Sequence, residues 1–317
     1  MQTLARIRSW LGANLRNING FDALREMVAS AHREMVEMVA SAHRDVLRLE
    51  EQLLEAERIH DLRYRDLMLL LAAREAGLSI KTFEVITDFP VALASDDHKV
   101  PLGTLNDNTR CPRFVAACER VLQKPLRFMD LGCAGGGLVL DFLLRGHEAI
   151  GLEGSDLSLR TLRAEWRVLP HNLFTCDVTK PFFVRRATEQ ASAVFDVVSA
   201  WEVLEHLSEG ELPQFFENVH RHLSPEGFFV GSIATFPCEA PETGAQYHRT
   251  VQARGWWEGR FQESGLAFLD DHPFTLRDFC RGTGNGPDDW DACKDPNLGF
   301  HFVARKVHGC EDDLQQR

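Results

Sequence analysis

Apolar and polar positions follow three different patterns along the chain. Residues 1–80 contain no proline and place apolar residues at helical spacing among charged ones, which predicts long helices. Within them MVASAHR occurs twice, at Met27–Arg33 and Met38–Arg44. An offset of eleven residues is three turns at about 3.67 residues per turn, so one stripe stays on one face with a slight right-handed drift. Met27, Val28, Met35, Val36, Met38, Val39, Val46, Leu49 and Leu53 supply it. Such a stripe makes either a coiled coil that joins copies of the chain or a duplicated, solvated helix that packs locally. The first reading predicts a homo-oligomer built through this arm. In the first twenty residues Leu4, Ile7, Leu11, Leu15 and Ile18 share a face, and Arg6, Arg8 and Arg16 precede any acid. A membrane-surface helix or a targeting peptide has this pattern, but a short stripe of this kind more commonly packs on protein.

Residues 81–113 are dominated by polar and turn-forming residues, with prolines at 90, 101 and 112. They read as an ordered lid or as a solvated connector. Asp96, Asp97, His98, Asn106, Asp107, Asn108 and Arg110 make the segment richer in chemistry than a plain connector needs. From residue 114 to 317 the pattern changes to strands alternating with helices. RFMDL, HEAIGLE, NLFTCD, FDVVSA and GFFVGSIA read as strands, and LVLDFLLRG, SLRTLRAEWRV and GELPQFFENVHRHL as the helices between them. This is the pattern of an α/β fold with a doubly wound, mostly parallel sheet. A helix around RGWWEGRFQES follows, then strands at LAFLDD and GFHFVARK, which fit an antiparallel pair at the sheet edge. Residues 280–297, rich in turn formers, read as an insertion in this domain.

Composition narrows the partners. A formal charge of −12 opposes nucleic-acid binding by bulk electrostatics. The eight cysteines form no C-x-x-C pair, and no secretory signal is evident, so free thiols and a cytoplasmic location are expected.

The chemistry starts at RFMDLGCAGGG, Arg127–Gly137, where a strand ends in an acid and a glycine loop follows. The dinucleotide pattern G-x-G-x-x-G is not met, because residue 134 is alanine. An acid on the threshold repels a phosphate and suits a cationic ligand. The chain here resembles the class I S-adenosylmethionine-dependent methyltransferases, over about residues 114–305. Asp130, Gly132, Ala134 and Gly136 match that family's first motif, with alanine at its middle glycine. Glu153 in AIGLEGSDLS sits where the family places the ribose-binding carboxylate, and Asp177 in NLFTCDVTKPF where it places an adenine-binding acid. The resemblance implies a seven-stranded Rossmann-like methyltransferase fold, S-adenosylmethionine as cofactor, and a cofactor site that also includes Cys133, Gly154, Val178 and Trp201.

The acceptor is less constrained. In WEVLEHL, Glu202, Glu205 and His206 have i, i+3, i+4 spacing; on a helix they would share one face at the mouth of the cofactor pocket. Two carboxylates and an imidazole can hold a divalent cation such as Mg²⁺ or Mn²⁺. The E-x-x-E-H element is similar to that of methyltransferases acting on polyprenylated catechols and on the terminal ribose of small RNA. In the second group a further histidine completes the metal site, and His248 is the candidate here. Many family members carry the same residues without metal, and then His206 or His248 is the expected general base. Trp257, Phe261, Gly265 and Leu266 match a helix that follows in the family. The leading expectation is O-methylation of a hydroxyl-bearing small molecule or glycan. The alternatives are a metal-dependent RNA ribose methyltransferase and a nonenzymatic cofactor-binding or assembly protein.

Overall fold

The computed structural model describes residues 2–14, 25–49, 52, 64, 83–105, 109–186, 191–241, 243–279 and 298–307. The insertion expected at 280–297 lies outside them, as do Leu15, Ile18 and Leu53 of the apolar stripes. The chain divides into two compact units, Met1–Met68 and Leu69–Arg317. The first contains helix α1 (Gln2–Asn14) and helix α2 over residues 25–49. Val28, Met35, Val36, Met38, Val39, Val46 and Leu49 of α2 are about half exposed or more. Among the described residues no helix is long and apolar enough to cross a membrane.

The second unit contains a seven-stranded sheet in the order β4-β3-β2-β6-β7-β9-β8. Its strands are β2 (Arg127–Leu131), β3 (Glu148–Glu153), β4 (Leu173–Thr175), β6 (Phe195–Trp201), β7 (Leu223–Ala234), β8 (Leu266–Phe268) and β9 (Gly299–Lys306). Pairing is parallel from β4 to β7 and antiparallel at β7–β9 and β9–β8, as the edge pattern predicts. Central strands covered on both faces are buried along almost their whole length, as β2 and β6 are, and the Asp130 and Ser199 side chains inside them bond to each other. Two cores result, one on each side of the sheet. Phe215, Phe216, Phe229, Trp257 and Phe261 lie in one; Phe114, Phe128, Phe142, Trp166 and Phe274 lie in the other. Helices α4 (Pro112–Leu122), α5 (Gly137–Leu144), α7 (Leu212–His222) and α8 (Arg254–Glu263) supply much of this packing.

Three local features differ from the sequence expectations. Residues 83–87 are not loop: Phe83–Thr87 forms β1, which pairs antiparallel with β5 (Phe182–Arg186) in a separate two-stranded sheet. The helix expected over SLRTLRAEWRV is broken into α6 (Leu157–Thr161) and a 3₁₀ turn at Ala164–Arg167. Leu162 and Ala164 adopt left-handed backbone there. The break turns Arg163 to the carbonyls of Thr104 and Leu105, and Trp166 Nε1 to the carbonyl of Ala134 at 2.8 Å. Tertiary hydrogen bonds thus override a good helical pattern. The third difference, at Glu202–His206, belongs to the site.

Candidate functional site

Strand order reverses at β2: β3 and β4 lie on one side, β6 and β7 on the other. In open α/β sheets ligands bind at such a switch point, beyond the carboxyl ends of the strands. A cavity of about 240 Å³ occupies that position. Gly132, Ala134, Glu153, Gly154, Asp177, Val178, Trp201, Glu202 and His206 all line it, so the ends of β2, β3, β4 and β6 converge on one space.

Glu153 organises the cofactor end. Its Oε2 accepts the Ala134 N–H at 2.8 Å; Oε1 accepts the Ser155 N–H at 3.0 Å and the Thr104 hydroxyl at 3.3 Å. Burial raises its pKa, although those donors pull the other way. Ala134, the residue that departs from the glycine pattern, has φ +45°. Left-handed backbone costs alanine about 1–2 kcal/mol, which glycine avoids, less the unfolded-state entropy that glycine adds. Ala134→Gly is therefore expected to stabilise the fold by about 0.5–1 kcal/mol. The check is thermal unfolding, with S-adenosylhomocysteine affinity unchanged beside it.

The other loop residues are placed differently. Asp130 lies under the loop, where its Oδ1 accepts the Ser199 hydroxyl at 2.6 Å. It lines a small adjoining cavity with Gly132 and Cys133. The amides of Gly132 and Cys133 both donate to the carbonyl of Leu152, which ties the loop to β3. Gly136 caps α5 at φ +87°, and a Cβ there would meet Leu173 Cδ1 at 2.5 Å. Asp177 Oδ1 accepts the Thr179 amide and hydroxyl at 3.0 and 2.6 Å, which fixes the carboxylate at the cavity wall.

Sequence reasoning gave residues 81–113 only a choice between lid and connector; they form part of the site wall. Ala92 donates to the carbonyl of Gly154 at 2.8 Å, and the Asp177 amide donates to the carbonyl of Phe89 at 2.9 Å. Thr109 Oγ1 accepts the Gly137 amide at 2.8 Å. Thr104 and Ser155 were missed as partners of Glu153; Ser155 donates its backbone N–H, which any residue type at that position except proline would supply.

The E-x-x-E-H element is not helical. Glu202 leaves β6 with φ +54°, residues Leu204–His206 make one 3₁₀ turn, and α7 begins only at Leu212. Glu202, Glu205 and His206 therefore do not share a helical face. Glu205 turns inward, is fully buried, and accepts the Ala234 amide on Oε1 at 3.0 Å. Its Oε2 is buried without a hydrogen-bond partner among the described residues. Burial, then the charge of Glu202, pushes its pKa up to about 8. Glu205, His206 and His248 each place a donor atom within 4.8 Å of the others, and Glu202 is outside that group. His206 Nδ1 lies 2.9 Å from Asp97 Oδ2, and the two imidazoles meet edge to face at 5.1 Å. Burial opposes protonation of His206, but Asp97, with Glu205 and Glu202, outweighs it and raises the pKa. His248 Nδ1 lies 2.5 Å from the carbonyl of Phe236; burial lowers its pKa, and the charge of His206 adds to that.

The sequence profile of the methyltransferase domain matches residues 105–281, more than half of the chain. The chain belongs to that family. It is a class I S-adenosylmethionine-dependent methyltransferase, and the strand-end acids and glycine loop described above lie inside the matched span. Solved structures similar to this methyltransferase include a TehB-like SAM-dependent methyltransferase from Corynebacterium glutamicum, at 15% identity over 61% of this chain and 87% of that one, TM-score 0.40. The CcbJ methyltransferase from Streptomyces caelestis is similar at 15% identity over 69% and 98% of the two chains, TM-score 0.44. The Burkholderia thailandensis 1,6-didemethyltoxoflavin-N1-methyltransferase is similar at 16% identity over 63% and 80%, TM-score 0.40. No curated protein sequence matches this chain.

Proposed function

We propose that this enzyme transfers the methyl group of S-adenosylmethionine to a hydroxyl of a small molecule or glycan. The observation that carries the reading is His206: a mostly buried imidazole on the wall of the cavity that Glu153 and Asp177 also line. Transfer is an in-line displacement at a carbon already activated by the sulfonium, so alignment and exclusion of water are the main tasks. A hydroxyl acceptor also needs a base, and His206 is placed to take its proton, with His248 beside it. Glu153 holds the ribose, Asp177 the adenine, and the Gly132–Gly136 loop the methionine end. Asp130 acts through that loop. A small acceptor fits the lining better than RNA. Asp97, Glu153, Asp177, Glu202 and Glu211 face the cavity, while the one guanidinium among the described lining residues, Arg249, is paired with Glu211 at 2.9 Å. Phosphates are repelled by such a wall. The test is transfer of a labelled methyl group to low-mass compounds of a cell extract.

A second reading is favoured by the orphaned Oε2 of Glu205. Glu205, His206 and His248 suit a divalent cation, Mg²⁺ or Mn²⁺, because each offers a ligand atom within 4.8 Å of the others and Glu205 Oε2 has no hydrogen-bond partner among the described residues. A bound cation would lower the pKa of a coordinated acceptor hydroxyl. On this reading activity falls with chelator and returns with Mn²⁺ or Mg²⁺; activity indifferent to chelator excludes it.

The exposed stripe of α2 supports a homo-oligomer formed through the arm. Deleting residues 1–75 is then expected to lower the mass measured by light scattering, and an unchanged mass removes the idea.

A further inference from the structure

We propose that Asp97 is a positioning residue for methyl transfer, which fixes His206 in one ring orientation and one tautomer, with the proton on Nδ1 and the Nε2 lone pair kept for the acceptor. The proposal rests on His206 acting as the base. Its own support is geometric. Asp97 Oδ2 is 2.9 Å from His206 Nδ1, and both side chains are about four-fifths covered, at 22% and 19% exposure. The contact is a close charge approach off the hydrogen-bond axis of the ring nitrogen, and a carboxylate this near one ring nitrogen favours the tautomer that carries the proton there and leaves the other nitrogen as the acceptor.

Asp97 is itself held in place. It lies in the short helix α3 (Asp96–Lys99), whose N-cap Ser95 accepts the Asp97 amide on Oγ at 3.2 Å. The amides of Leu102 and Gly103 lie beside its carboxylate. The neighbouring Asp96 accepts the Gln246 amide at 3.0 Å, and the Tyr247 hydroxyl donates to the carbonyl of Val100 at 2.8 Å. α3 is therefore tied to the segment that carries His248. Toward the cofactor, Ala92 bonds to Gly154 and Thr104 to Glu153. One stretch of chain thus spans both ends of the cavity, with Asp97 between its anchors. A lid needing only closure has those anchors already; the contact to His206 is additional.

The step balances without a further reactant. The acceptor oxygen forms a bond to the methyl carbon as the carbon–sulfur bond breaks, the sulfonium becomes a thioether, and the hydroxyl proton passes to Nε2. The resulting imidazolium lies against the Asp97 carboxylate, which stabilises it.

The tautomer can be read without knowing the acceptor. Protein labelled with ¹⁵N-histidine is saturated with S-adenosylhomocysteine, and long-range ¹H–¹⁵N spectra are recorded at alkaline pH, where the ring is neutral. The His206 signal is identified by its loss in His206→Gln. The expected result is an Nδ1–H ring in the native protein, retained in Asp97→Glu, and an Nε2–H majority in Asp97→Ala and Asp97→Asn. Calorimetry on each variant sets the S-adenosylhomocysteine concentration that saturates it, so every spectrum is read on folded, loaded protein. An Nε2–H ring in the native protein, or an unchanged tautomer in both Asp97→Ala and Asp97→Asn, overturns the proposal. Failure of the native protein to bind S-adenosylhomocysteine would instead strike the cofactor assignment.

Discussion

Glu153→Ala is expected to abolish S-adenosylhomocysteine binding in titration calorimetry, with affinity reduced about 100-fold or more. The native carboxylate accepts from Ala134, Ser155 and Thr104. Removing it deletes the proposed ribose acceptor, and hydrogen bonds to charged groups are worth about 1.5–3 kcal/mol each. It also strands the Ala134 amide at a residue already in left-handed backbone, so the loop loses one of its ties to β3. Glu153→Gln should not rescue binding. Each oxygen already accepts a backbone N–H, so either orientation of the amide sets an NH₂ against a donor. Asp130→Ala should weaken binding less, since Asp130 is bonded to Ser199 beneath the loop and does not line the main cavity. Native affinity in Glu153→Ala would remove Glu153 from the cofactor site.

Gly231→Ala is expected to cost more than about 3 kcal/mol and to leave little folded protein at physiological temperature. Gly231 lies in β7, opposite Ala200 of β6 and Phe302 of β9. A Cβ there would sit 1.8 Å from the carbonyl oxygen of Ala200 and 2.8 Å from the Phe302 ring. The first obstacle is backbone of a central strand and cannot move aside. Damage would reach the site directly, because the Glu202 amide donates to the carbonyl of Ser232, one residue along β7. Gly210 and Gly255, where a Cβ meets nothing within 4 Å, provide the control positions. Denaturant unfolding with circular dichroism measures the effect. A Gly231→Ala protein as stable as native would contradict this pairing of β6, β7 and β9.

Some of this architecture is legible in the sequence because its causes are local. Buried parallel strands are predominantly apolar, and the residues at their carboxyl ends are the ones nearest a ligand at the switch point. The cofactor roles of Asp130, Glu153 and Asp177 came from the resemblance to the methyltransferase family, and of the three Glu153 and Asp177 line the main cavity while Asp130 lies beneath the loop. β1 and β5 could not be paired, because five-residue strands separated by almost a hundred positions carry no mutual signal. The i, i+3, i+4 spacing of Glu202, Glu205 and His206 misleads because a left-handed residue at 202 breaks the helix on which the spacing depends. Nothing local marks that turn: the conformation is stabilised by Glu202 bonding to β7 and by Glu205 bonding to Ala234. Asp97 stood out only as one acid in a polar segment. Its contact with His206 arises because the chain between Ala92 and Thr104 runs along the cavity wall.

The central claim is that the cavity at the sheet's switch point serves methyl transfer from S-adenosylmethionine to a small hydroxylated acceptor. The most direct measurement incubates the native enzyme, and Glu153→Ala beside it, with cell extract and deuteromethyl-labelled S-adenosylmethionine, followed by untargeted mass spectrometry. The predicted result is a labelled methyl on the oxygen of one or a few low-mass compounds, formed by the native enzyme and absent with Glu153→Ala. Label found on RNA, on nitrogen or carbon alone, or formed equally by the variant would contradict it.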